Sequence, residues 1–494
     1  MDKKSLIILI LAALVISGYS FYFFDSFPPT SDACDYAGMA KNIVNGKGFT
    51  INHAYPLSFY FVPELPQPDC MWSPAYSLVL AISFKMFACT DNIIIWTNII
   101  LYLALLIAGY LLAKRYADKD TAFVFLVMAG FNQYAYYMII YSTPEILAAL
   151  MLTMSVLILK PQKITSLIIS AVLFGLAVLS RYQIIVLLPI YYFLMEKSYR
   201  KLGYFALIVV AICSWWLIRN FMVFGDPFFT LQRYGEYSKG MGLNDNYYYT
   251  YRSLEPLTLF KTITDYPLMY GKKIISGIPI FLHGLIDQLN SYSLFLVFWA
   301  YIFLRKKHNL SQIMRFTLIS ILLYIFLCLF DGQHHRHLFI FISFLSVIAA
   351  AGFGDFIKRA GITRWKYGYI FTLLIFLVPF AFPQQEITLR DEKNLFSRDK
   401  LVYQQISQIT TGNVAAEAGD ALWWYSNMNT VWMPVDFATL EKIDSLINIQ
   451  AVYFQRDNWL SRQSADDVAK FNNTFPRQIE LLDGTRLYLK EFNK

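Results

Sequence analysis

Two aspartates, Asp32 and Asp35, lie three residues apart in FFDSFPPTSDACDYAGMAKNIVNGKGF, which begins where the first apolar run, Ser5 to Phe24, ends. The stretch reads as a short helix with Ser31 as its N-cap and Gly46 and Gly48 as its stop. A carboxylate just outside a bilayer suits proton abstraction from an acceptor hydroxyl while a phosphate leaves, given arginines that bind the anion. The chain supplies such arginines. Arg181 stands in LSRYQ, Arg219 in SWWLIRNFMVFGDP, and Arg336 beside His337 in HHRH, while Glu145 in STPEI adds another acid. Charge at membrane depth is costly unless it is paired or lines a cavity, which makes each of these a functional candidate. Acids and arginines converging on one face from distant spans favour a shared cavity for something anionic.

Each residue also has a plainer account. First-turn acids such as Asp32 and Asp35 stabilise a helix N-terminus by about 0.3–1 kcal/mol each. Thr143-Pro144-Glu145 is a good helix start, with cap, proline and acid in order. Arg181 and Arg219 have the length to snorkel to the interface. HHRH, His334 to His337, suggests metal only weakly, because no acid spacing supports it, and no metal or other cofactor is expected.

The elements that must hold these residues are membrane spans. Of 494 residues, 57% are hydrophobic and 15% charged, with a mean hydropathy of +0.43; soluble domains carry about 25% charged residues. The expected fold is a polytopic α-helical membrane protein of about eleven spans with a small C-terminal α/β domain. The N-terminal run is a retained span, since bulky aromatics stand where a signal peptase would need small residues. The other spans are expected at Ile93–Ala113, Thr121–Ile140, Pro144–Leu159, Ile164–Leu179, Gln183–Met195, Leu202–Leu217, Tyr292–Leu304, Phe316–Phe330, Leu338–Phe353 and Tyr367–Phe382. Lys3 and Lys4, Lys114 to Lys119, Lys160 and Lys163, Lys197 to Lys201, Arg305 to Lys307, and Lys358 to Lys366 then share one side, the cytoplasmic one. The formal charge of +8 thus marks orientation and implies no nucleic acid.

Three external pieces follow: the loop Asp25–Asn92, the loop Arg219–Ser291 and the tail from Pro383. Within the first, PAYSLVLAISFKMF reads as an amphipathic helix lying on the membrane. Domains are expected at 1–382, a membrane domain carrying external loop 25–92, and 383–494, an extracytoplasmic α/β domain. In the tail GNVAAEA, NTVWMPV and AVYFQR read as strands, FATLEKIDSLINI as a helix, and QIELLDGTRLYLKEF as a hairpin turning on Asp483-Gly484. Cys34, Cys70 and Cys89 share the first external loop, where one disulfide is possible.

The chain resembles the GT-C-type membrane glycosyltransferases, in the branch of protein O-mannosyltransferases, the lipid A aminoarabinose transferase and bacterial polyprenyl-phosphate-sugar transferases. The resemblance rests on Asp32-x3-Tyr36-x3-Ala40-x-Asn42-Ile43-x2-Gly46-x-Gly48-Phe49, then WSPAYSLVLAISFKMF, TPEILAALML, LSRYQIIVLLP, WLIRNFMVFGDP and RHLFIFISFLSVIAAAG in family order. It covers roughly the first 355 residues, each motif being loose without its context. It implies transfer of a sugar from a polyprenyl-phosphate donor to a lipid, glycan or protein acceptor, outside the cytoplasmic (inner) membrane and with inversion. It implies Asp32 as general base; from the residues themselves, Asp35 and Glu145 are expected as second acids, and Arg181, Arg219 and Arg336 with His337 as ligands of the donor phosphate. The chain departs from the pattern in having Asp32-Ala33 for Asp-Glu, Ser73-Pro74 for a double proline, and Arg336-His337 for Arg-Tyr. Rival readings are a transporter or flippase of lipid-linked sugars, a noncatalytic assembly subunit, and a polymerase or ligase of preassembled glycans.

Overall fold

A computed structural model of the chain describes residues 1–24, 31–235, 237, 239, 241, 246–255, 258–330, 334–361, 399–455 and 459–490. These pack as two units. The first comprises Met1–Tyr22, Ile95–Ile218 and Gly271–Thr388; the second comprises Phe23–Ile94, Arg219–Tyr270 and Leu389–Lys494.

The first unit is helical. Among the described residues of the chain, five helices are long and apolar enough to cross a membrane: Lys3–Tyr22, Asp91–Tyr116, Tyr199–Phe224, Asn309–Phe330 and His335–Arg359. A sixth span results if Lys119–Gly130 and Gln133–Tyr141 count together across their 54° bend. The bend has a local cause, since Asn132 leaves the helical conformation and its side chain caps the second segment by accepting the Ala135 amide at 2.9 Å. Expected spans at Pro144–Leu159, Ile164–Leu179 and Gln183–Met195 fall on shorter elements, the helices Glu145–Ile158 and Ile164–Ser180 and a 3₁₀ run Tyr182–Ile190 containing Pro189. Tyr292–Leu304 is the end of one 37-residue helix, Pro267–Phe303, so the loop expected up to Ser291 is partly helical. The span at Tyr367–Phe382 lies outside the described residues.

Small polar residues join these helices, as they do where lipid offers no hydrophobic drive for association. Ser155 and Ser170 each donate to the other's carbonyl, at 2.8 and 2.7 Å, and Tyr191 donates to Ser155 at 2.8 Å. Arg115 has a structural use besides orientation. Its guanidinium donates to the terminal carbonyls of the Glu145–Ile158 helix, reaching Leu159 O at 2.7 Å, groups that the helix itself leaves unpaired.

The second unit is built on a six-stranded sheet. The strands, with those of a small antiparallel pair, are β1 (Thr50–Ile51), β2 (His53–Ala54), β3 (Gln67–Pro68), β4 (Asn413–Ala416), β5 (Thr430–Trp432), β6 (Ile449–Phe454), β7 (Arg477–Glu480) and β8 (Arg486–Leu489). The sheet order is β2-β5-β4-β6-β8-β7, parallel from β2 to β6 and antiparallel beyond, while β1 pairs with β3. Alternate residues feed two cores. Ala415, Val452 and Tyr488 face one with Phe437, Leu440 and Phe471; Val414, Ala451 and Leu487 face the other with Val402, Ile406 and Leu422. A sheet covered on both faces needs apolar residues at both parities, which the short tail strands supply. The tail helix forms as Phe437–Ile447, and the hairpin β7–β8 turns at Gly484, whose φ is +81°.

The expected division at residue 382 separates the tail from the first loop, whereas the structure packs them in one unit. Strand β2 comes from that loop and pairs in parallel with β5, His53 opposite Thr430 and Ala54 opposite Val431. Among the described residues no disulfide forms, so the one possible in the first loop is absent. PAYSLVLAISFKM is helical as expected, from Pro74 to Met86.

Candidate active site: two clusters of buried charge

In the second unit the helix carrying both aspartates runs Ser31–Val44. It stops where Gly46 and Gly48 adopt φ of +77° and +70°, a conformation that costs glycine little. Its apolar face buries Ala33, Ala37 and Ala40. Tyr36 packs edge-on to Tyr76 at 5.3 Å, and Ser77 donates to the Tyr36 carbonyl at 3.1 Å, fixing this helix on Pro74–Met86. Asn42 donates to Asn52 at 2.8 Å, which donates to Asn429 at 2.8 Å, so three amides join the helix, the loop and the sheet.

The two aspartates differ in setting. Asp32 stands in the first turn, partly exposed. Asp35 is buried, and its Oδ1 lies 2.8 Å from Nε2 of the equally buried His53. The helix-end account therefore does not describe Asp35, which lies past the first turn and faces the His53 ring. Burial pushes the Asp35 carboxyl up to about 7, against the pull of His53. Burial works against charge on the His53 ring, but the Asp35 carboxylate and the hydrogen bond to it prevail and raise its pKa. Asp420, buried in the first turn of the helix Gly419–Ser426, adds negative charge felt by both.

His53 also stacks on Trp423 at 5.3 Å, and Trp423 lies against Gly38, where a Cβ would come within 2.1 Å of the indole. Only a glycine admits this approach. Arg219 is tied into the loop, donating to Asp69 O at 2.6 Å, Phe49 O at 3.1 Å and Asn220 Oδ1 at 2.9 Å. These bonds hold loop backbone, so the snorkelling account does not describe Arg219. Burial raises the Asp69 carboxyl to about 6, opposed by Arg219 and by the Trp72 and Met71 amides.

The first unit holds the other cluster. Glu145 is fully buried at the start of its helix and forms an ion pair with Arg181, itself buried. The same Oε1 lies 3.6 Å from Arg336 Nε and 3.9 Å from His337 Nε2. Arg181 therefore does not snorkel. Thr143 does not cap the helix either; Pro144 takes that position without a side-chain bond. The Glu145 carboxylate thus faces two guanidiniums, and Arg336 remains a quarter exposed at 25%. Gln288 donates to the His335 carbonyl at 2.9 Å, holding the HHRH segment in place. Among the described residues no three His, Cys, Asp or Glu side chains group as a metal site.

The sequence pattern thus places Glu145, Arg181, Arg336 and His337 together and Asp32 near Asp35, but it misses His53, Asp69, Asp420 and Trp423. Nothing in their local sequence marks them. His53 would have been a candidate only once NHAYP was known to be a strand beside the aspartate helix.

Known proteins resemble the chain at two levels. The family model described as dolichyl-phosphate-mannose-protein mannosyltransferase matches residues 68–218. No curated protein sequence matches it. Among solved structures, ArnT from Cupriavidus metallidurans bound to undecaprenyl phosphate has a TM-score of 0.60 at 13% identity, covering 100% of this chain and 99% of that one. The Archaeoglobus fulgidus oligosaccharyltransferase, in complex with Zn and sulfate, has a TM-score of 0.56 at 11% identity, with 98% and 73% covered. The archaeal oligosaccharyltransferase AglB from Archaeoglobus fulgidus, with an inhibitory peptide and a dolichol-phosphate, has a TM-score of 0.53 at 11% identity, with 99% and 74% covered. The chain has the fold of the GT-C-type membrane glycosyltransferases and, over residues 68–218, matches a mannosyltransferase family model.

Proposed function

We propose that the chain is a membrane glycosyltransferase that moves a sugar from a polyprenyl-phosphate donor to an acceptor hydroxyl, on the outer face of the cytoplasmic membrane. The observation that carries this reading is the convergence of Arg181 and Arg336 on the Glu145 carboxylate, set in a unit of apolar helices. A lipid phosphate is the anion such a place suits, since its apolar tail has bilayer to occupy and arginine forks meet its oxygens. The fold agrees: ArnT was solved with undecaprenyl phosphate and AglB with a dolichol-phosphate.

Asp32 is the base in this scheme. Of the two aspartates on the helix it is the one with solvent access, whereas Asp35 is committed to His53. The acceptor oxygen attacks the anomeric carbon while its proton passes to Asp32. The bond from that carbon to the phosphate oxygen breaks, and polyprenyl phosphate leaves with the electron pair. Attack opposite the leaving group inverts the anomeric centre. Arginine charge is worth most as the leaving oxygen becomes fully anionic, which is differential stabilisation of the transition state. Asp35, paired with His53, fixes the helix that presents Asp32, and Arg219 fixes the loop backbone at Phe49 and Asp69.

The test is release of polyprenyl phosphate from purified polyprenyl-phosphate sugars by the reconstituted chain and its Asp32→Asn variant. Loss of about 10²–10⁴ in turnover with donor binding intact fits a general base. Equal turnover removes Asp32 from the mechanism. Lipid-linked sugar that crosses the bilayer uncleaved makes the chain a transporter instead.

A further inference from the structure

A second region of the first unit gathers charge, with no part in the chemistry above. A cavity of about 1330 Å³ is lined by Lys3 and Lys4 from the first helix, Lys119 at the start of Lys119–Gly130, Lys307 before the helix His308–Phe330, and Lys358 at the end of Ile342–Arg359. Membrane orientation requires these lysines only to share a side. The structure goes further and puts them around one opening.

Four aspartates share the lining, and all but Asp120, in the first turn of the helix Lys119–Gly130, are engaged. Asp2 accepts the Ser5 amide at 2.8 Å and pairs with Lys119 at 3.1 Å. Asp118 caps its helix by accepting the Thr121 amide at 2.7 Å, and Asp355 holds Arg359 at 2.7 Å and Trp299 at 3.1 Å. Lys3, Lys4, Lys307 and Lys358 make no ion pair among the described residues. Lys358 and Lys307 do act on Asp118, whose carboxyl stays below its usual range although burial opposes this, the Thr121 bonds being the largest lowering cause. Apolar wall completes the lining, with Phe123, Val124, Leu310 and Ile357 beside the lysines.

We propose that this cavity binds a phosphate-bearing anion, seated among Lys3, Lys4, Lys307 and Lys358. Two sources present that chemistry: an anionic phospholipid headgroup and a soluble phosphate. Unpaired lysines supply counter-charge as mobile point donors, which suits a phosphate of variable orientation. The half-buried Phe123 adjoins the lysines, and basic pockets between membrane helices hold anionic headgroups in this way.

The experiment uses the full chain in nanodiscs of phosphatidylcholine and follows binding of fluorescent phosphatidylglycerol. Lys307→Gln with Lys358→Gln should weaken binding roughly thirtyfold, at about fivefold per lysine, with each single variant near fivefold. Lys307→Arg with Lys358→Arg should keep it, which separates lost charge from lost folding. Lys160→Gln with Lys163→Gln, on another basic loop and outside the cavity, should also bind as the native chain does. Displacement of the lipid by inorganic pyrophosphate would assign the site to a soluble phosphate, and persistence of the lipid would assign it to a headgroup. Unchanged binding in the single and double glutamine variants, or an equal loss in the Lys160 and Lys163 pair, overturns the proposal.

Discussion

Asp35 and His53 form a buried pair, with Oδ1 and Nε2 separated by 2.8 Å, between the helix that bears Asp32 and the edge strand β2 of the sheet. The pair joins an element of the first loop to a sheet made mostly by the tail. Its energetics decide whether the base-bearing helix keeps its place.

Removing one partner should cost more than removing both. Asp35→Ala leaves His53 buried without its carboxylate, a change that costs about 3–5 kcal/mol in such pairs. Asp35→Asn with His53→Gln should recover much of that loss. Thermal melting of the full chain in detergent checks the order, and a single variant as stable as the native chain would rule out a structural role for the pair.

Acidity should favour the folded second unit. Asp35, at about 7, and Asp69, at about 6, both lie above their unfolded value of 3.8, and His53 is raised above 6.5. Each binds its proton more tightly when folded, so each contributes stability that is complete below its unfolded pKa and lost as pH rises through its folded one. For the two acids that window runs from about pH 4 to about pH 7, and for His53 it lies above 6.5. Melting followed from pH 5 to roughly pH 8 should fall more steeply in the native chain than in the Asp35→Asn, His53→Gln variant. Parallel curves would contradict the linkage.

The cluster in the first unit predicts opposite effects for acid and base. Arg336→Gln should weaken polyprenyl phosphate binding roughly ten- to hundredfold, the worth of a hydrogen bond to a charged group. Glu145→Gln removes a carboxylate from the same guanidiniums and should tighten it, at a cost in stability. Competition between polyprenyl phosphate and a labelled donor analogue measures both. Weaker binding in both variants would mean that Glu145 serves mainly to hold Arg181 and Arg336 in position.

Close packing at Gly38 can be tested without touching charge. Gly38→Ala puts a Cβ within 2.1 Å of Trp423 and should destabilise by about 1–3 kcal/mol. Gly203, with nothing within 4 Å of its Cβ position, is the control, and alanine there should be neutral or mildly stabilising. A comparable melting temperature for the two variants would show that Trp423 gives way easily.

By itself the sequence determined what depends on neighbours along the chain. The apolar runs, the glycine stop of the Ser31–Val44 helix, the Phe437–Ile447 helix and the Asp483-Gly484 hairpin are set by hydrophobic period, caps and turns, and all can be read locally. Its grouping of Glu145 with Arg181 and Arg336 followed from the cost of charge in an apolar setting, which leaves few arrangements open. Only the tertiary structure decided which aspartate is buried. Asp32 and Asp35 are one helical turn apart and chemically alike; their difference comes from His53, Trp423 and Asp420, which arrive from a strand and a helix elsewhere in the chain. The fate of Arg219 was equally closed to sequence reasoning, because its partners are backbone carbonyls of Phe49 and Asp69, and every residue has a carbonyl. Side-chain type reports what a group can do, whereas burial and the partner across the fold decide what it does.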